Sequence, residues 1–179
     1  YPLDVEGEGD AISLAEARTR TFARRKIFIV STPTISGASA IEREYEASDQ
    51  RRYFVPCPHC NHPQWLRFEQ LRWDKGQPET AAYICESCDT AISEHHKTWM
   101  LERGEWRSMA QGKTAGFHLS SLYSPVGWRS WRDIAAAWEA AVNKESGSAA
   151  AIKTFKNTEL GETWVEEGEA PDWQRLVER

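Results

Sequence analysis

The sequence Cys57-Pro58-His59-Cys60, followed after 24 residues by Cys85-Glu86-Ser87-Cys88, places the chain's four cysteines in two C-x-x-C pairs. Each pair stands where β-forming residues meet turn-forming residues, so each can present two thiolates from a tight turn. Four thiolates around one ion are typical of the structural zinc sites of zinc ribbons. Because four protein ligands leave no open position for a reacting water, we predict a structural Zn site at Cys57, Cys60, Cys85 and Cys88.

The spacing alone leaves other uses of these cysteines open. Two disulfides or four unrelated buried thiols are the alternatives, and disulfides are disfavoured because nothing in the chain indicates secretion. Iron in a rubredoxin-like site takes the same ligands as zinc. His59 and His62 lie beside the first pair, and either could replace a cysteine, although exposed positions on the turn suit them better.

Short β-forming stretches begin near residue 51, surround the cysteines and predict a small β zinc ribbon. These stretches are 53–55, 64–68 and 82–84, and Ser93 is expected to cap a helix that reaches Leu101. Metal binding supplies much of the folding free energy of such small units. We therefore expect chelation of the metal to unfold residues 51–92 while other helices persist.

The residues before the ribbon predict a helix, a strand and a helix in an open parallel α/β sheet. Ser13-Leu14-Ala15-Glu16 has capping-box spacing and indicates a helix from Leu14 to Phe22. Ile27-Phe28-Ile29-Val30 is a short apolar run rich in β-branched residues, as expected for a strand buried on both faces. Ser39 and Glu42 have capping-box spacing too, which predicts a helix that ends near residue 47.

Two further groups of residues are candidates for contact with phosphate. Ser31-Thr32-Pro33-Thr34 follows the predicted strand, and ligands of open α/β sheets bind at the carboxyl ends of strands. Its hydroxyl groups could equally cap the next helix, and spacing does not decide between the two roles. Phosphate of a nucleotide or of DNA is also a candidate ligand for Arg18, Arg20, Arg51 and Arg52, for which a solvated surface is the default.

Downstream of the ribbon, the pattern predicts a strand over 115–120 and helices over 130–144 and 148–155. Gln111-Gly112-Lys113-Thr114 ends like a phosphate-binding loop, G-x-x-x-x-G-K-[ST]. That motif needs its first glycine at position 107, which is Arg107 here. The stretch is therefore predicted to be a polar turn.

The composition excludes several classes of protein. With 179 residues, 40% of them hydrophobic and 27% charged, the chain is expected to form one domain or one with a small second. A net charge of −5 argues against a dedicated nucleic-acid coat of positive charge. No apolar run approaches the roughly 18 residues of a membrane span, and no signal peptide opens the chain. Because Tyr1 stands where Met is expected, we interpret the sequence as a piece of a longer protein.

Several longer stretches of the sequence resemble the GpA-type large subunit of tailed-phage terminases. The resemblance runs from Tyr1 to about Gly168. It is strongest over residues 1–10, 18–22, 26–34, 50–60, 94–98, 116–120, 155–158 and 160–162. Several of these stretches are longer than chance allows.

The resemblance implies a motor that packages double-stranded DNA into a preformed capsid and cuts concatemers to unit length. Family members combine an ATPase, which uses ATP and Mg, with a metal-dependent nuclease. Neither catalytic set matches a position here, so the resemblance implies an enzyme for the parent protein and an inactive isolated chain. It further implies the small terminase subunit and the capsid portal as partners, no membrane, and the cytoplasm of an infected bacterium or a prophage origin.

For this chain, the resemblance implies an α/β fold: a fragment of a P-loop-type ATPase sheet with an inserted small β zinc ribbon and C-terminal helices. Residues 1–50 would form the C-terminal part of the ATPase core, and residues 51–106 would be the zinc-ribbon insertion. Residues 107–179 would return to the ATPase side and lead to the nuclease domain. Ser31-Thr32-Pro33 is similar to the ATPase coupling motif, whose hydroxyl groups sense the γ-phosphate. The alternatives are a free-standing zinc-ribbon module that binds nucleic acid or protein, and a helicase-like ATPase.

Overall fold

The computed structural model describes residues 9–143, 145 and 147–165, and it is a mixed α/β structure. The α-helices are α1 (Ala11–Thr19), α2 (Ala40–Glu46), α3 (Lys97–Glu102), α4 (Trp131–Val142) and α5 (Ala149–Phe155). The strands are β1 (Arg51–Pro56), β2 (Pro63–Trp65), β3 (Leu71–Asp74), β4 (Gln77–Ile84), β5 (Ala91–Ile92), β6 (Glu105–Arg107) and β7 (Phe117–His118). Short 3-10 turns cover Phe68–Gln70, Glu94–His96 and Ser121–Tyr123, and a π-helical turn covers Lys156–Leu160.

The strands form two small, mainly antiparallel sheets. In the first, β1 pairs with β2 and β6 in antiparallel register and with β7 in parallel. In the second, β4 lies between β3 and β5, and both pairings are antiparallel. Because β1 and β4 each lead into a cysteine pair, the two sheets bring the two pairs together.

The main hydrophobic core lies between the two sheets, α3, α4 and α5. Trp131 of α4 is fully buried, and its ring centroid lies 5.9 Å from that of the buried Tyr83 on β4. Phe68 lies 5.2 Å from both Trp138 and Phe155, measured between ring centroids, which fixes α4 and α5 against the ribbon region. The ribbon region and the C-terminal helices therefore share one core.

The predicted buried strand at residues 27–30 is wrong for the described structure. These residues form no strand, and Phe28 and Val30 are 85% and 65% exposed. The physical reason is that none of the described strands pairs with this stretch through backbone hydrogen bonds. The expected parallel α/β sheet is accordingly replaced by the two small sheets of the ribbon region.

Helix caps agree with the sequence at the C-terminal end and differ at the N-terminal end. Ser130 and Asp133 form a reciprocal capping box on α4, and Ser148 caps α5, which confirms both predicted helix starts. Helix α1 begins at Ala11 rather than Leu14, because the Asp10 carboxylate accepts the Ser13 N–H at 3.2 Å. The capping box predicted from Ser39 and Glu42 at the start of α2 is also not formed, because both side chains bind other donors.

At α2 the helix is where the sequence predicts it, but the capping box is not formed. The Ser39 hydroxyl accepts a hydrogen bond from the Thr34 N–H at 3.3 Å instead of capping the helix. The Glu42 carboxylate accepts from the Gly37 N–H at 2.8 Å and from the Thr163 hydroxyl at 2.7 Å. The Thr163 contact ties the start of α2 to a residue far along the chain.

The segment between β6 and β7 is a turn, as predicted, and the strand after it is short. The Thr114 carbonyl oxygen accepts the Asp49 N–H at 3.0 Å, so residues 111–114 pack against the end of α2. The strand expected over 115–120 covers only Phe117–His118, because only Arg51 and Arg52 of β1 pair with it. Among the described residues, no helix is long and apolar enough to cross a membrane.

Acidification is expected to destabilise the fold through His118. Its Nε2 donates to the Gly161 carbonyl oxygen at 3.0 Å, and burial, aided by Arg52, lowers the pKa of His118 to about 4. An unfolded histidine titrates near 6.5, so the unfolded chain binds more protons between pH 4 and 6.5 and stability falls as the pH decreases there. Urea unfolding should show a loss of about 1 kcal/mol between pH 7.5 and 5.5 that His118→Gln does not show. An equal pH slope in both proteins would contradict this role.

Candidate metal centre

The two cysteine pairs meet in one cluster where β1 and β4 end. Cys57 Sγ lies 4.0 Å from Cys88 Sγ, and Cys60 Sγ lies 3.7 Å from Cys85 Sγ. All four sulfur atoms lie within 4.8 Å of one another. A tetrahedral ion with Zn–S bonds of about 2.3 Å requires sulfur–sulfur distances of about 3.8 Å. The spacing of the sulfur atoms therefore fits a four-thiolate metal site.

The two cysteine turns have the same backbone geometry. In each, the residue after the second cysteine has a left-handed conformation, with φ of 59° at Asn61 and 54° at Asp89. Its N–H then reaches back to the carbonyl oxygen of the first cysteine, at 2.9 Å for Cys57 and 3.1 Å for Cys85. Asn and Asp adopt this conformation more readily than other side chains. The repeated pattern C-x-x-C-[N/D] was a readable signal that the sequence analysis did not use.

Backbone N–H groups in these turns point at sulfur. The N–H of His59 lies 3.4 Å from Cys57 Sγ, and the N–H of Ser87 lies 3.5 Å from Cys85 Sγ. Hydrogen bonds of this kind favour the charged thiolate over the thiol. Both turns are thus arranged to hold negatively charged sulfur.

Burial and hydrogen bonding shift the pKa values of the thiols in opposite directions. Cys57 and Cys85 are buried and Cys60 is exposed. Burial raises the pKa of Cys57 to about 12, whereas hydrogen bonds from Thr90 lower the pKa of Cys88 to about 6. A buried thiolate requires a compensating cation, and a bound metal deprotonates its thiol ligands outright. The donor set therefore suits a thiophilic ion such as Zn, and its four protein ligands suit a structural role.

Side chains around the cluster hold the second turn against the first sheet. Gln64 on β2 is fully buried, and its Oε1 accepts the Glu86 N–H at 3.0 Å. The Glu86 carboxylate pairs with Arg67 at 2.5 Å and with His62 Nε2 at 3.1 Å. The sequence analysis missed Gln64 and Glu86, because neither residue type signals a metal site. His62 binds Glu86, and neither it nor His59 belongs to the four-sulfur cluster.

The candidate phosphate contacts lie apart from the cysteine cluster. Ser31 Oγ donates to the Thr32 carbonyl oxygen at 3.3 Å, and the Thr34 carbonyl oxygen accepts the Trp164 N–H at 2.9 Å. Residues 31–33 line a broad groove together with α2, residues 113–119 and residues 157–163. The hydroxyl groups of Ser31 and Thr32 are therefore near a groove that a ligand or another part of a longer protein could enter.

The four candidate arginines have different surroundings. Arg51 pairs with the Asp49 carboxylate at 2.8 Å. The Arg52 guanidinium stacks on the rings of Trp65 and Tyr45, at 4.6 and 5.5 Å from their centroids. The remaining two, Arg18 and Arg20, are exposed at the end of α1. No structural contact assigns any of the four to phosphate, and this role stays a prediction.

Two protein-family models match the chain side by side. The ATPase domain of the phage terminase large subunit gpA matches residues 1–106, and the endonuclease domain of the same subunit matches residues 114–179. The chain belongs to the gpA family of phage terminase large subunits. The resemblance identified from the sequence is thereby confirmed.

Two curated terminase large subunits are similar to the chain over nearly all of its length. That of Enterobacteria phage P21 is 33% identical and covers 100% of the chain, and that of Escherichia phage lambda is 30% identical and covers 98%. The chain spans 31% of the length of each of these terminase subunits. No solved structure matches it.

The region that matches the terminase ATPase domain and the region that matches the endonuclease domain share one hydrophobic core. The four cysteines fall in the ATPase match, while Trp131 and Phe155 fall in the endonuclease match. The Tyr123 hydroxyl accepts the Leu66 N–H at 2.6 Å and donates to the Tyr53 carbonyl oxygen at 2.7 Å, so it joins the two matched regions. Within the described residues, parts of the two matched regions pack against each other.

Proposed function

We propose that this chain is part of the large subunit of a DNA-packaging terminase, an ATP-driven translocase of double-stranded DNA that also cuts concatemeric DNA. The observation that carries the proposal is the pair of adjacent matches, to an ATPase domain and to an endonuclease domain of one subunit. The proposed partners are DNA, the small terminase subunit and the capsid portal. The proposed location is the cytoplasm of the infected bacterial host.

The metal centre is proposed to be a structural Zn site that braces the junction between the two activities. Cys57, Cys60, Cys85 and Cys88 would hold the ion, which supplies folding free energy and no reaction. The shared core and Tyr123 support this role, because they link the ribbon, proposed to span 51–106, to the helices of the endonuclease match. Residues 107–179 are proposed to lead into the nuclease.

Residues 1–50 are proposed to complete the ATPase core in the longer protein. The exposed apolar residues at 27–30 support this, since a P-loop-type ATPase sheet would bury them between neighbouring strands. Ser31-Thr32-Pro33 would then stand at the carboxyl end of a strand as the coupling motif, with Thr34 after it. Its hydroxyl groups would hydrogen-bond phosphate oxygens, while the phosphate cradle, Mg and the positioned water come from elsewhere.

The chain on its own is expected to hydrolyse no ATP and to cut no DNA. ATP hydrolysis needs a loop of backbone N–H groups, a lysine and Mg around the phosphates, and the sequence contains no phosphate-binding loop. A longer protein that contains this chain and both complete domains should show both activities, measured as phosphate release and as cleavage of concatemeric DNA. Turnover by the purified short chain, or its absence from the longer protein, would contradict the proposal.

A further inference from the structure

A run of cations after α1 is used neither by the metal centre nor by the core. Residues 18–26, here named the basic segment, read Arg-Thr-Arg-Thr-Phe-Ala-Arg-Arg-Lys. They hold five of the chain's 22 Lys and Arg and no carboxylate, although the chain as a whole has a net charge of −5. All five cationic residues are exposed, and Phe22 in the middle is 67% exposed.

The basic segment differs from many other cations of the chain because it has no salt bridge among the described residues. Seven other cationic residues form salt bridges, namely Arg43, Arg51, Arg67, Lys97, Arg103, Arg107 and Arg129. Within residues 9–143, 145 and 147–165, the basic segment forms none. Five like charges this close together repel each other, and an anionic partner removes that repulsion.

The basic segment folds back on itself in successive turns, and all five of its cations are exposed at the surface. The Phe22 N–H donates to the Thr19 carbonyl oxygen at 3.0 Å, and the Arg25 N–H donates to the Phe22 carbonyl oxygen at 3.2 Å. Four of the five cations are arginines, whose planar guanidinium groups bind phosphate oxygens in a bidentate manner. The surface is therefore suited to a row of phosphates.

We propose that the basic segment contacts the phosphate backbone of double-stranded DNA. The inference rests on the proposed packaging function, which supplies this polyanion. DNA is favoured over a nucleotide because five exposed cations spread over nine residues match an extended row of charges, and the segment lacks the glycine-rich loop that surrounds a triphosphate. Binding is independent of sequence, weak at physiological salt, and lost as salt increases.

The test compares two variants of the metal-loaded chain that lose the same charge at different places. One variant replaces Arg18, Arg20, Arg24, Arg25 and Lys26 by Gln. The matched control replaces five other exposed cations by Gln, which are Arg72, Lys75, Arg103, Lys113 and Arg132. Binding to labelled 30-bp duplexes of two unrelated sequences is measured by fluorescence anisotropy from about 25 to 200 mM salt.

The basic-segment variant should bind each duplex at least about 10-fold more weakly, and its dependence of log K on log salt should be shallower by about 3 to 5, since each phosphate contact adds about 0.9. The control should lose less than about 3-fold. A variant with Lys at the four arginines should keep the salt dependence of the unaltered chain, because it keeps all five charges, and should bind more weakly, because Lys lacks the bidentate contact. MgATP should compete no better than salt of equal ionic strength.

Equal losses in both five-charge variants, no binding by the unaltered chain at low salt, or specific competition by MgATP would overturn the inference. These outcomes are separable from failure of the proposed function, which is tested by ATP hydrolysis and DNA cleavage in the longer protein. If the longer protein has both activities and the two variants bind DNA equally, the basic segment is not the contact and the packaging function stands.

Discussion

Removal of the metal by a strong chelator is expected to unfold most of the described chain between residues 51 and 155. Apparent binding free energies of structural zinc sites are about 10–16 kcal/mol, which exceeds or equals the total stability of most domains. The sequence predicts a loss limited to 51–92, with other helices intact. The structure predicts a wider loss, because Trp131 of α4 packs on Tyr83 and Phe155 of α5 packs on Phe68.

The measurement is thermal unfolding followed by near-ultraviolet circular dichroism of the buried tryptophans, with and without chelator. Elemental analysis should give one metal ion per chain, and visible absorption distinguishes iron from colourless zinc. Four thiols should become reactive only after chelation. An unchanged melting temperature after complete metal removal would refute a structural role for the ion.

Cys57→Ser should reproduce the effect of chelation, since a hydroxyl in place of a buried thiolate removes one of four ligands. Ser87→Ala is the matched control within the cysteine turns. Its side chain is exposed, and the backbone N–H that points at Cys85 Sγ is retained. A metal content and melting temperature unchanged by Cys57→Ser would show that this cysteine is not a ligand.

The elements that the sequence predicted best are those whose signals are local. Ser130 and Ser148 begin helices α4 and α5 because each hydroxyl caps the N–H three residues on, a contact within one turn. The two C-x-x-C pairs likewise determine their own turns. Such contacts depend on neighbouring residues in sequence, so they can be inferred without knowledge of the fold.

The elements that the sequence predicted less well depend on distant partners. The apolar run at 27–30 has strand composition, but strand formation requires a partner strand, and none of the described strands pairs with this run. Ser39 and Glu42 have the spacing of a capping box, yet their oxygen atoms bind other donors, of which Thr34 and Gly37 lie five residues away and Thr163 lies 121 residues away. Partners that lie up to 121 residues away leave no trace in a local pattern.

In the candidate metal site, too, the local features were predictable from the sequence and the distant contacts were not. Its four ligands follow from spacing, whereas the residues that support the ligands do not. Gln64 is fully buried and binds the backbone of Glu86, 22 residues further on. A buried glutamine has no sequence signature, because burial of a polar side chain depends on a partner that only the fold supplies.

Replacement of Lys97 is expected to destabilise the chain strongly, although no sequence pattern singles it out. Its side chain is fully buried, and its Nζ lies 2.6 Å from the Glu94 carboxylate and 3.3 Å from the Arg129 carbonyl oxygen. The same carboxylate accepts the N–H of Trp131 at 3.1 Å. Lys97 thus links α3 of the ATPase match to the start of α4 in the endonuclease match.

Lys97→Ala should cost about 3–5 kcal/mol, because it leaves a cavity and a carboxylate without its cation in a partly buried place. The combined substitution Lys97→Met with Glu94→Gln should remain within about 1.5 kcal/mol of the unaltered chain, since it removes both charges and keeps the volume. Arg43→Ala, which breaks an ion pair whose arginine is 51% exposed, should lower the stability far less than Lys97→Ala does. Urea unfolding of the metal-loaded proteins measures all three values. If Lys97→Ala costs no more than Arg43→Ala, the buried ion pair does not hold the two matched regions together, and the aromatic packing and the Tyr123 hydrogen bonds do so without it.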